Sequence, residues 1–179
     1  MNIFYLDKNE STCAQMHCDK HVVKMATEYA QLLSTCHRVM DGEEYYSKTD
    51  NRRIKRWALN DLREEALYKA SHVNHPSNTW IRESSQHYRW LWTMWMHLCL
   101  EYTIRYGKIH KASDLRGYLF DTPNNLKDNG WVDPPQCMPD TLKVEGNTIQ
   151  AYRNFYQIEK SKFATWKTEE PAWYQAQAV

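Results

Sequence analysis

Between Pro76 and Gly107 the chain reads SNTWIRESSQHYRWLWTMWMHLCLEYTIRY, an aromatic-rich stretch bounded by two helix punctuators. Proline is tolerated at the first helical position and glycine is favoured just past the last. On a 3.6-residue wheel Trp80, Ile81, Tyr88, Leu91, Trp92, Trp95, Leu98, Cys99, Tyr102 and Tyr106 share one broad face, and Trp90 and Met94 widen it. A helix apolar over so much of its circumference must be buried. The spacing therefore predicts a long central helix around which the rest of the chain packs.

The remaining elements are expected to be short or helical. NIFYL (2–6) reads as a short strand or an extended lead-in. Thr12-Cys13-Ala14-Gln15 fits a capping box, a hydroxyl followed three residues later by Gln, and opens a helix to about Cys36. Residues 40–57 read as loop, with Asp41-Gly42 as turn signal, and a helix is expected from about Asn51 to Tyr68. Residues 121–147, rich in Pro, Asn and Gly, form the longest irregular region. A last helix follows, capped by Asn147, with Ile149, Tyr152, Tyr156, Phe163 and Trp166 inward. The predicted fold class is all-α: a single compact domain spanning 1–179, with four to five helices around one long central helix.

Composition removes several classes. Formal net charge is +1, so no global basic field announces nucleic acid, and a charged surface must come from local clustering. The five cysteines show no paired zinc or redox motif, which points to reduced thiols and a cytoplasmic setting. The apolar stretch near Trp90–Leu100 is too short to span a bilayer. Twelve Tyr and eight Trp suit an aromatic core, half-wet pockets, or stacking on bases.

MHCDKHVVKMATEYAQ (16–31) concentrates the chemistry. At 100° per residue His17, Lys20, His21, Lys24, Glu28 and Gln31 fall on one side, and an apolar arc fills the other. A solvated stripe would explain most of this. Asp19, however, lies in the apolar arc, where a carboxylate needs a partner. It is either a structural ion pair or a shifted acid or base. His17 and His21 are spaced i,i+4, so with His72 and His75 they could bind a divalent transition metal, although the glutamate of the helical zinc motif is missing. Downstream, Arg105, Lys108, His110 and Lys111 cluster with Tyr102 and Tyr106, and Arg52, Arg53, Lys55 and Arg56 form a second basic knot. Such groups can grip phosphates and stack bases, or simply satisfy a helix C-terminus.

An extended N-terminal segment leads into a helix carrying AQMH. A long central helix is entered from a His-containing loop, and a late helix with Arg153 and Lys160 runs on to PAWY. In these features the chain resembles the phage pyrimidine-dimer DNA glycosylases of the small endonuclease V type. The resemblance implies an all-α domain that binds damaged duplex DNA on a basic concave face. It further implies cleavage of the glycosidic bond by an N-terminal α-amine assisted by a glutamate on the first helix, through an imine. The chain departs from that pattern in two places. Asn2 is bulky, which disfavours removal of Met1, and Lys24 stands nearest the family's glutamate, with Glu28 one turn later.

The expected function is thus a DNA glycosylase/lyase acting on DNA or nucleotides without a cofactor. Asp19 and Glu28 are acid and base candidates, Lys24 (or Lys20) an amine candidate, and His21 a catalytic partner. His17, Lys20, His72, Asn74, His75, Arg82, Arg105, Lys108, His110 and Lys111 would contact substrate. The alternatives are a metal-dependent enzyme on nucleotides or modified bases using His17, His21, His72 and His75, and a non-catalytic nucleic-acid or protein binding module.

Overall fold

The computed structural model describes residues 1–49 and 52–174. Its framework is helical: α1 (Glu10–Met16), α2 (Asp19–Asp41), α3 (Arg63–Ala66), α4 (Pro76–Ile81), α5 (Ser85–Tyr106) and α6 (Thr148–Phe155), the last continuing into a π turn at Tyr156–Lys160. Between α2 and α3 lies an antiparallel hairpin, β1 (Glu43–Thr49) and β2 (Arg52–Ala58), in the register Glu44↔Trp57, Tyr46↔Lys55, Lys48↔Arg53. This hairpin corrects both the all-α expectation and the predicted helix from Asn51 to Tyr68, of which only α3 is helical; Asn51 itself lies outside the described residues.

The long central stretch is buried as its wheel requires. Tyr88, Leu91, Met94, Trp95 and Leu98 have no exposure, and the Trp95 indole N–H donates to the Ala26 carbonyl of α2 at 2.8 Å. It is not one continuous rod. Ser84 breaks it, accepting from the Gln86 and Asn129 amides at 3.3 and 3.1 Å, so a hydroxyl caps α5 where the periodicity alone implies continuity. Pro76 stands at the start of α4, and Gly107 closes α5 in the left-handed region at φ 65°. A positive φ is the conformation glycine adopts without steric cost.

The first helix also divides in two. α1 is capped by Asn9, whose Oδ1 accepts from the Thr12 amide at 2.9 Å, rather than by Thr12. His17 and Cys18 adopt extended backbone, and the Asp19 amide donates to the Thr165 carbonyl at 2.8 Å instead of back into α1. The break turns His17 out of the polar stripe and into the core. Asn147 caps α6 as its position predicts, accepting from the Gln150 amide at 3.0 Å, and residues 121–147 are irregular apart from a 3-10 turn at Asp140–Leu142.

Residues 3–6 form no strand, yet Ile3, Phe4, Tyr5 and Leu6 are among the most buried in the chain. Burial leaves their backbone groups needing partners. The Phe4 amide donates to the Tyr29 hydroxyl at 3.1 Å, and Arg153 of α6 donates to the Leu6 carbonyl at 2.9 Å. This threading of the lead-in between α2 and α6 fixes where Met1 sits. No described helix is long and apolar enough to cross a membrane.

Candidate active site

The polar stripe of α2 meets the threaded lead-in at a cavity of about 350 Å³, lined by Met1, Phe4, Lys20, His21, Lys24 and Glu28, with Lys160 and Phe163 on the opposite wall. Helical spacing aligns the four α2 residues along one edge, and the π turn brings Lys160 across from them. The Met1 amino group lies 3.9 Å from Glu28 Oε2, and Lys24 Nζ lies 3.1 Å from Glu28 Oε1. One carboxylate therefore sits between two amines.

His21 forms the inner wall. Its ring stacks on Phe4 with centroids 4.2 Å apart and meets Phe163 edge-on at 5.6 Å. Its Nδ1 is hydrogen-bonded to the Tyr156 hydroxyl at 2.6 Å. Burial, reinforced by His17 and the cations Lys160, Lys24 and Lys20, pushes its pKa down to about 2. His21 is therefore a neutral wall and hydrogen-bonding group, not a cation. Lys160, whose ammonium lies over the Phe155 ring at 4.1 Å, is also held below the usual lysine range, first by burial and then by the nearby Lys24 charge. A depressed lysine is more readily available as a free amine. No protein-family model, curated protein or solved structure matches this chain.

Four of the sequence candidates, Lys20, His21, Lys24 and Glu28, are thus brought together. Asp19 is not with them. It pairs with Arg105 at 3.1 Å and accepts from the Lys167 amide at 3.1 Å, so its place in the apolar arc is explained by a structural ion pair. Arg105, expected at phosphate, is a buried strut instead: it also pairs with Glu101 at 3.0 Å and donates to the His17 and Gln15 carbonyls. His17, expected at substrate, is fully buried between the Cys13 carbonyl and the Tyr29 hydroxyl.

The other candidates are dispersed. His75 caps α4, accepting from the Ser77 amide at 3.1 Å, and its pKa is lowered by burial and then by the positive charges of the N-terminus and His72, opposed by Glu28. His72 and Asn74 line a separate cleft beside the hairpin. Arg82 holds the Val73 carbonyl at 2.8 Å. His110 docks on the Val23 carbonyl at 3.2 Å, and Lys108 and Lys111 are exposed nearby. For the metal alternative, His17 is enclosed in the core and His21 points at Tyr156; among the described residues no three His, Cys, Asp or Glu side chains converge.

Residue patterns alone do not place Met1 and Lys160 in the cavity, although the resemblance points to an N-terminal amine. The Met1 amine reaches Glu28 only because residues 3–6 are buried, and Lys160 only because α6 winds into a π turn. Such turns recur at functional sites, but no local sequence pattern marks one.

Proposed function

We propose that the cavity is an amine–carboxylate active site that excises a base from DNA through an imine, as a glycosylase with lyase activity. The observation that carries this is the Met1 amino group 3.9 Å from the Glu28 carboxylate in a 350 Å³ cavity rimmed by Lys20, Lys24 and Lys160. An unprotonated amine attacks the sugar C1′, and the C1′–N bond breaks with its electron pair leaving on the base, which takes up a proton. Glu28 is placed to relay the amine's proton and to stabilise the cationic imine that follows ring opening. Loss of a C2′ proton then expels the 3′ phosphate. The surplus of cations over carboxylates around the cavity favours an anionic polymer, and a base must leave the stack to enter it.

Borohydride reduction in the presence of duplex DNA carrying an abasic site tests this directly. A covalent adduct should form, and peptide mapping should place it on Met1, with Lys24 and Lys160 the other amines within the cavity. Glu28→Gln should slow adduct formation by about 100-fold or more, the range of general acid–base catalysis. Absence of any adduct at saturating DNA refutes the proposal.

A further inference from the structure

The hairpin takes no part in the chemistry above. Alternate residues of a ribbon share a face, which here places Glu44, Tyr46 and Lys48 opposite Trp57, Lys55 and Arg53. The cations lie on the aromatic rings: Arg53 sits 3.8 Å from the Tyr46 centroid and Lys55 5.4 Å from that of Trp57. Among the described residues one carboxylate lies on this face: Glu44, which meets Lys55 at 2.6 Å, but both are about half exposed, and such surface pairs exchange readily.

Beneath the ribbon runs a cleft of about 610 Å³, between Arg53–Trp57 on one side and residues 70–74 on the other. Among the described residues no acidic side chain lines it. Its far wall is built with care: His72 takes a left-handed backbone at φ 49°, held by Asn78 Nδ2 donating to the Ser71 and His72 carbonyls at 3.0 and 2.9 Å. A non-glycine residue locked in that region marks a wall whose shape is imposed. The same segment continues into His75, which caps α4 and feels the charges of Met1 and Glu28.

We infer that the β1–β2 hairpin and the 70–74 segment form a DNA-binding arm that holds the sugar–phosphate backbone of the duplex flanking the base admitted to the cavity. For the identity of the polymer this rests on the function proposed above. Arg53, Lys55 and Lys48 contact phosphates, and Tyr46 and Trp57 offer flat faces to sugars and unstacked bases. Complementarity of charge favours this occupant: cations and an imidazole face the cleft, and the chain as a whole carries a net charge of only +1.

The test is fluorescence anisotropy of the whole protein with an undamaged duplex of about 25 base pairs over a salt series. Lys48→Glu/Arg53→Glu/Lys55→Glu should bind at least tenfold more weakly than the parent, with the slope of log K against log salt shallower by about 2 to 3, one for each lost phosphate contact. Arg53→Ala alone should reduce the slope by about 1 and keep the parent melting curve. Unchanged affinity and slope in the folded reversal variant would overturn the arm, as would a larger loss from Lys108→Glu/Lys111→Glu. Binding to an acidic protein but not to duplex, lost in the same variant, would overturn the choice of DNA. Adduct trapping at saturating abasic duplex separates the two proposals. Trapping that persists in the reversal variant at high DNA concentration supports the arm. A parent protein that binds duplex through the hairpin but traps nothing removes only the amine mechanism.

Discussion

Asp19 shows how one side chain can look catalytic in sequence and be structural in space. A carboxylate on the apolar side of a helix costs free energy unless it is paired, and Arg105 supplies the pair from the far end of α5 at 3.1 Å. The guanidinium is fully enclosed, so it depends on its acceptors in turn. Asp19→Asn keeps the shape but removes the charge, leaving Arg105 with Glu101 and two carbonyls. We expect a loss of about 1–3 kcal/mol in urea denaturation, the cost of weakening a charged buried hydrogen bond, with adduct formation at saturating DNA unchanged. Equal stability of variant and parent would show that the pair is dispensable, and loss of trapping without loss of stability would return Asp19 to the chemistry. Glu28 is the reverse case. Its partners are two amines, one of them the exposed Lys24, so its neutralisation should register in rate rather than in stability.

At the scale of elements, the hairpin is the part of the fold that sequence concealed. EEYYSKT and RRIKRWA are full of Glu, Lys and Arg, residues that favour helix when nothing else decides. What decides here is tertiary. Gly42 lets the chain leave α2 so tightly that a Cβ there would lie 2.5 Å from the Arg38 carbonyl oxygen and 3.0 Å from that of Ala58. Gly42→Ala should therefore cost about 1–3 kcal/mol, the usual penalty of overpacking, read as a lower melting temperature; a neutral result would mean that the junction can relax. Pro76, Gly107 and Asn147 were legible because capping chemistry is local. The breaks at His17–Cys18 and at Ser84 were not, because their extra partners, Thr165 and Asn129, come from distant parts of the chain. The site divided in the same way: one helical edge gives Lys20, His21, Lys24 and Glu28, whereas Met1 and Lys160 arrive from the two ends of the chain.

For the whole molecule, the buried histidines dominate the response to acid. His17 and His37 are held down to about 4 and His21 to about 2, burial being the largest cause in each. His37 illustrates the fit: Arg63 donates to its Nδ1 at 2.8 Å, and its Nε2 donates to the Tyr88 hydroxyl at 2.7 Å, an arrangement that requires the neutral ring. In the unfolded chain these groups titrate near 6.5. As pH falls below that value the unfolded state binds protons that the native state refuses, so stability is complete above about pH 7 and declines toward pH 4. Each histidine contributes a slope of about 1.4 kcal/mol per pH unit. Denaturant midpoints measured from pH 7 to 4.5 should fall steeply, and a flat profile would contradict the neutral burial of all three. The Arg38 guanidinium has a different consequence. It donates to the Trp57, Leu67 and Tyr68 carbonyls and to both the side chain and the carbonyl of Glu64, so one group from α2 clamps the root of the hairpin, α3 and the turn beyond it. That same helix carries the cavity's polar edge. A ligand seated on the ribbon would find its docking frame already assembled, with little entropy lost in ordering the root of the arm. Encounter would then be governed by long-range attraction more than by rearrangement, and the on-rate, more than the off-rate, should respond to ionic strength.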